Sequence, residues 1–278
     1  MGEGQGGRRG GRAARLAGRP ASPPVATPDD DTLTRHGSGL TPASGPDTTL
    51  LIACGALARE VRAVIRANGL EDRFALSCLP ALLHNRPERI AGAVRARLHE
   101  GRAAGYARAF VVYADCGTGG ALDRVCAEEG VERIPGPHCY AFFDGLDAFA
   151  ARAEAEIGAF YLTDFLARQF DALVWRGMGL DRHPDLRDIY FAQYDRLIYL
   201  AQTDDPALTE RARAAAARLG LAFERRWTGY GDLAAALAAA GDTGAPAAER
   251  TGQSGRRRRD RGGAAAPAAP ATSLSPRR

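Results

Sequence analysis

The stretch AFVVY at residues 109–113 decides the fold class, together with DCGTGG at residues 115–120, which follows it. The first segment is a continuous run of strand-forming residues without polar alternation. The second is a glycine-rich turn that leads into a helical pattern. A strand that is apolar on both sides is typical of a parallel sheet covered by helices on both faces.

The same alternation of strand and helix signals extends in both directions from this stretch. Further strands are predicted at residues 49–53, 73–79, 131–134, 196–201 and 221–227. Amphipathic helical patterns or turn residues separate them. We therefore predict an α/β fold, a three-layer, doubly wound, mostly parallel sheet of about six strands with helices on both faces.

Composition places a single α/β domain at residues 48–241 of the 278-residue chain. Residues 1–47 and residues 242–278 are rich in Gly, Pro, Ala and Arg, hold few large apolar side chains, and are expected to be disordered. All 37 basic residues are Arg. The lack of Lys excludes lysine Schiff-base chemistry and the lysine of a phosphate-binding P-loop.

The net charge of +4 is concentrated in the C-terminal tail. Residues 242–278 hold eight Arg against three acidic residues, whereas residues 48–241 hold 23 Arg against 25. Nucleic acid binding is therefore not expected of the domain, and the run Arg256–Arg259 is the one place where it could occur. The chain has no apolar run of signal-peptide or membrane-span length, and its five cysteines are dispersed. These features favour a cytoplasmic protein without a membrane partner.

Three of the cysteines follow predicted strands, which places them at one rim of the sheet. Cys54, Cys116 and Cys139 each precede a predicted helix start, where the helix dipole is expected to lower the thiol pKa. Three thiolates at one rim predict a zinc site or an iron–sulfur cluster with a position open to a small-molecule substrate. His84 and His138 lie at the same rim and are candidate proton carriers.

Three alternative interpretations stay open. Gly117, Gly119 and Gly120 could cradle a cofactor, as in a methyltransferase that uses S-adenosylmethionine or in a corrinoid-associated accessory protein. Cys116 could be a nucleophile activated by a histidine. The domain could also be a non-catalytic module that binds an anion or metabolite at the helix N-termini. The plainest interpretation is a tight turn and buried, unreactive cysteines.

Five segments together resemble a bacterial and archaeal family, the domain of unknown function numbered sixteen thirty-eight. They are Cys54–Leu57, His84–Pro87, Tyr113–Gly117, His138–Cys139 and Phe160–Thr163. Some members of the family place an acidic residue between the His and the Cys, which are adjacent here. The resemblance spans about residues 49–233 and implies the same domain and the same cysteines, but no activity. Since some members are encoded near corrinoid methyltransferase components, it also implies such components as possible partners.

Overall fold

The computed structural model describes residues 27–242. Within them, the strands are β1 (Thr49–Cys54), β2 (Phe74–Leu79), β3 (Arg108–Val112), β4 (Glu132–Arg133), β5 (Ala159–Thr163), β6 (Arg196–Ala201) and β7 (Ala222–Trp227). The α-helices are α1 (Asp30–Arg35), α2 (Ala58–Ala67), α3 (Ile90–Ala103), α4 (Ala121–Glu129), α5 (Cys139–Asp144), α6 (Leu146–Arg152), α7 (Asp164–Arg168), α8 (Leu186–Tyr190), α9 (Pro206–Leu219) and α10 (Leu233–Asp242). Short 3₁₀ turns occupy Gly55–Leu57, Ala81–Asn85 and Pro87–Arg89, and a π-helical turn occupies Asp171–Trp175.

The α/β class is confirmed, but the strands form two parallel sheets and the prediction of one sheet of about six strands is wrong. The first sheet has the order β2-β1-β3-β4 and the second the order β5-β6-β7. Strand β5 is not among the predicted strands, because its residues run directly into α7, whose N-cap is Thr163. The first sheet ends at β4, which has two residues and is soon followed by Pro135, a residue that cannot donate to a strand ladder.

The central strand β1 is apolar on both sides because each side faces a separate core. Leu51 and Ala53 face the larger core, which also contains α2, α7 and the second sheet. Leu50 and Ile52 face the smaller core, which contains α3 and α4. Burial of alternate residues in two cores explains why the strand shows no polar alternation.

Helix α1 corrects the predicted boundary between tail and domain. It lies inside residues 1–47, yet Leu33 is fully buried and the side chain of Asp29 caps the helix by accepting a hydrogen bond from the Thr32 backbone N–H at 2.7 Å. The Leu33 carbonyl also packs so closely on Gly55 that a Cβ there would lie 2.4 Å from its oxygen. The prediction of disorder is therefore wrong for this helix, because one leucine anchors it to the core.

The predicted tails otherwise lie mostly outside the described residues. Residues 1–26 and 243–278, including the run Arg256–Arg259, belong to that part of the chain. Within residues 27–242, no helix is both long enough and apolar enough to cross a membrane.

Candidate functional site

The strand order places a crevice at the carboxyl ends of β1 and β3. From β1 the chain crosses to β2 on one side of the sheet and later returns to β3 on the other side. At such a switch point the two outgoing loops diverge and leave space for a ligand. Cys54 is the last residue of β1, and Cys116 follows β3 by four residues.

A cavity of about 30 Å³ lies at this switch point. The three cysteines singled out by the sequence analysis line it together with His84 and Tyr113. The second sheet contributes Thr163 and the adjoining helical residues, so the cavity is bounded by both sheets. The remaining lining residues are small or aliphatic: Ala56, Leu57, Ala81, Ile90, Ala114, Leu166 and Leu173.

The three thiols share the cavity without forming a metal-ligand geometry. Among residues 27–242, no three His, Cys, Asp or Glu side chains are close enough to hold a metal ion. Cys54, Cys116 and Cys139 are half-buried free cysteines: Cys54 ends β1, Cys116 lies in the loop after β3, and Cys139 begins α5. Their assignment as metal ligands therefore stays a prediction.

The environment of the thiols keeps them protonated. Burial raises the pKa of Cys54, and it raises the pKa of Cys116 to about 12. Burial also raises the pKa of Cys139, and nearby Cys116 adds to this because two thiolates would repel each other. The expectation that helix N-termini lower these pKa values is wrong, because desolvation outweighs the helix dipole at this rim.

Cys116 has a backbone conformation that side chains rarely adopt. Its φ is +50°, the one positive value of a non-glycine residue within residues 27–242. Its N–H donates a hydrogen bond to the Pro137 carbonyl at 2.8 Å, which ties the loop after β3 to the loop before α5. Strained residues of this kind concentrate at functional sites, where the surrounding structure holds them in place.

The N–H groups of the glycine-rich loop already donate hydrogen bonds to the carboxylate of Asp115, at the start of the same loop. The Asp115 side chain accepts hydrogen bonds from the Thr118 hydroxyl at 2.6 Å, the Gly120 N–H at 2.9 Å and the Gly119 N–H at 3.2 Å. Burial opposes ionisation of Asp115, but these hydrogen bonds outweigh it and lower the pKa of the carboxyl. An anion or cofactor could use Gly119 and Gly120 only by displacing Asp115, and their cofactor role, like that of Gly117, stays a prediction.

The two candidate histidines have different positions. His84 lies on the 3₁₀ turn Ala81–Asn85, lines the cavity and keeps an exposed surface. His138 is not among the residues that line the cavity, and its ring packs against Tyr140 and Phe149 with centroids 5.1 and 5.2 Å away. Burial and nearby His84 lower the pKa of His138 to about 4. Burial lowers the pKa of His84 as well, so the two rings differ in position rather than in charge. A proton-carrying role stays a prediction for both, and it is better supported for His84, which lines the cavity, than for His138, which lies in an aromatic cluster.

Sequence reasoning gave no site role to Tyr113, which lines the cavity. It was assigned to the third strand with the valines before it. The available signal was its residue type, since a buried tyrosine in an aliphatic strand must find a partner for its hydroxyl.

The fold and the cavity define an α/β protein with a thiol-lined pocket at the switch point of a parallel sheet. The family described as "Protein of unknown function (DUF1638)" matches residues 78–237, and the chain belongs to that family. This confirms the resemblance on which the sequence analysis drew. No curated protein and no solved structure matches the chain.

Proposed function

We propose that Cys54, Cys116 and Cys139 bind a soft metal at the switch-point cavity and that the metal site binds or acts on a small molecule. The observation that carries this proposal is the convergence of all three thiols, from three separate segments of the chain, on one cavity. Thiolate sulfur is the ligand that zinc and iron–sulfur clusters prefer.

Metal binding requires the thiols to move. Two sulfurs bound to one zinc ion lie within about 4 Å of each other. Among residues 27–242, no three His, Cys, Asp or Glu side chains are placed so that they could share an ion. Rotation of a cysteine between staggered positions moves its sulfur by about 3 Å without moving the backbone. Rotamer changes of the three half-buried thiols are therefore the rearrangement that we propose for metal binding.

The size of the cavity favours a single ion over a cluster. Its volume of about 30 Å³ exceeds the space that one water molecule needs, about 10 to 15 Å³. One metal ion fits that space with little rearrangement, whereas an iron–sulfur cluster needs the lining to expand. We therefore favour zinc, with a cluster as the alternative outcome of the test.

His84 is the residue best positioned to move a proton. It lines the cavity, and because desolvation lowers its pKa, its imidazole is neutral at neutral pH and can accept a proton that a thiol releases. The protons that leave the thiols on metal binding can take this route. The interpretation as a methyltransferase has less support, because Asp115 already engages the N–H groups of Gly119 and Gly120.

Metal analysis of anaerobically purified protein tests the proposal, with absorption spectroscopy to distinguish the metals. We expect about one zinc ion per chain and no visible colour; iron with a visible band would indicate a cluster. Cys116→Ala should lose the metal because it removes one of three ligands. Cys126→Ala is the matched control, since Cys126 is buried on α4 and is not among the cavity-lining residues.

Two results would contradict the proposal. One is an unchanged metal content in Cys116→Ala. The other is wild-type protein that takes up neither zinc nor iron when each is supplied under reducing conditions.

A further inference from the structure

The hydroxyl of Tyr113 is an orphaned polar group in the wall of the cavity. The side chain is 2% exposed, and its oxygen is buried without a hydrogen-bond partner among residues 27–242. Tyr113 also lines the cavity at the switch point. Burial of an unpaired hydroxyl destabilises a folded protein, so this arrangement needs an explanation.

The other fully buried tyrosines of the described chain show the normal arrangement. The Tyr106 hydroxyl donates to the Thr41 carbonyl at 2.8 Å, and the Tyr199 hydroxyl donates to the Asp164 carboxylate at 2.7 Å. The Cys54 thiol is the polar side chain beside the Tyr113 hydroxyl, and the contact between them is at most a weak hydrogen bond, because thiol sulfur is a weak acceptor. The Tyr113 hydroxyl therefore lacks the oxygen acceptor that the hydroxyls of Tyr106 and Tyr199 have.

We propose that the Tyr113 hydroxyl donates a hydrogen bond to the acceptor atom of a small, uncharged ligand that enters this cavity. The cavity-lining residues include no Arg, and most of them are aliphatic, so a charged group on the ligand would find no counter-ion among them. The volume of about 30 Å³ accommodates the end of a molecule rather than a large ring. The ligand class is therefore a small neutral molecule with a terminal carbonyl oxygen, hydroxyl oxygen or nitrile nitrogen.

This inference names a substrate class for the proposed site and rests on the proposed function only for its location. An oxygen or nitrogen atom is also what the open position of a three-thiolate metal site accepts. The experiment uses metal-free protein, so that loss of metal binding and loss of ligand recognition are measured separately.

Two probes of equal shape test the inference. Acetonitrile carries a nitrile acceptor, and propyne has the same linear shape without one. Each is titrated into reduced, metal-free protein and followed by NMR shifts of the cavity backbone amides. We expect wild-type protein to bind acetonitrile about five to ten times more tightly than propyne, because the net free energy of one hydrogen bond corresponds to an affinity ratio of that size.

Two tyrosine variants separate recognition from structure. Tyr113→Phe should abolish the preference for acetonitrile and raise the melting temperature, because it removes an unpaired buried hydroxyl. Tyr106→Phe is the matched control: it should lower the melting temperature and leave the preference unchanged, because its hydroxyl is bonded and is not among the cavity-lining groups.

The inference is overturned if wild-type protein binds neither probe, or binds both equally. It is also overturned if Tyr113→Phe lowers the melting temperature, which would show that the hydroxyl has a stabilising partner in the ligand-free protein. The comparison of the two probes on wild-type protein stands even if a variant fails to fold.

Discussion

Glu60 should make the protein less stable as the pH rises through neutrality. It lies on α2, is 4% exposed, and its Oε2 atom has no hydrogen-bond partner among residues 27–242. Burial raises the pKa of this carboxyl from 4.5 to about 7, and Asp164 adds to the rise, although the nearby guanidinium of Arg168 opposes it. A carboxyl with a raised pKa is held in its neutral form by the fold.

The pKa difference determines the size and sign of the effect. Between the unfolded pKa of 4.5 and the folded pKa of about 7, the unfolded chain releases its proton while the folded chain keeps it. The free energy of unfolding therefore falls with rising pH in this window, at about 1.4 kcal/mol per pH unit. From about pH 5 to pH 8 the contribution of Glu60 should fall by about 2.5 kcal/mol.

Urea denaturation at several pH values measures this contribution. Glu60→Gln cannot ionise, so its stability relative to wild type should increase by about 2.5 kcal/mol from about pH 5 to pH 8. Glu71→Gln is the control, because Glu71 is exposed and its substitution should leave the pH profile unchanged. If Glu60→Gln and wild type show parallel pH profiles, Glu60 is ionised in the folded protein and the reasoning fails.

Two further predictions concern helix α1 and the strained cysteine. Leu33→Ala should cost about 2 to 5 kcal/mol and lower the melting temperature by about 10 °C, because Leu33 is fully buried. Leu82→Ala, at a side chain that is 38% exposed, should cost less than about 1 kcal/mol, and equal losses in the two variants would show that α1 does not pack on the core. Cys116→Gly should be about 1 kcal/mol more stable than Cys116→Ala in urea denaturation, because glycine adopts the φ of +50° without strain. If the two variants have the same urea midpoint, the backbone at residue 116 is not strained.

The sequence predicted strands well where they are buried on both faces. The predicted residues 196–201 coincide with β6, and β1 and β2 differ from prediction by one residue each at one end. Continuous apolar runs carry this signal because two cores bury them. How the strands group into sheets depends on long-range pairing, which periodicity does not report. The strand β5 and the division into two sheets were therefore missed.

For the candidate site, the sequence predicted most of the residues that line the cavity together, but it did not predict the direction in which the thiol pKa values shift. The carboxyl ends of parallel strands share an edge, and this rule selected Cys54, Cys116, Cys139 and His84, which line the cavity, but also His138, which does not. The pKa of a thiol depends on how many protein atoms surround it. The number of surrounding atoms depends on tertiary packing, and this packing raises the pKa of Cys116, although the sequence predicted a lowered value.

The raised thiol pKa values also bear on the interpretation of Cys116 as a nucleophile. With its pKa raised to about 12, the Cys116 thiol is protonated at neutral pH. No Arg lies among the cavity-lining residues, and His84, which does line the cavity, has its own pKa lowered by desolvation, so it is neutral rather than an imidazolium at neutral pH. A thiolate here therefore has no cation among the lining groups. A bound metal ion supplies that positive charge directly, and for this reason the thiols fit metal ligation better than covalent catalysis.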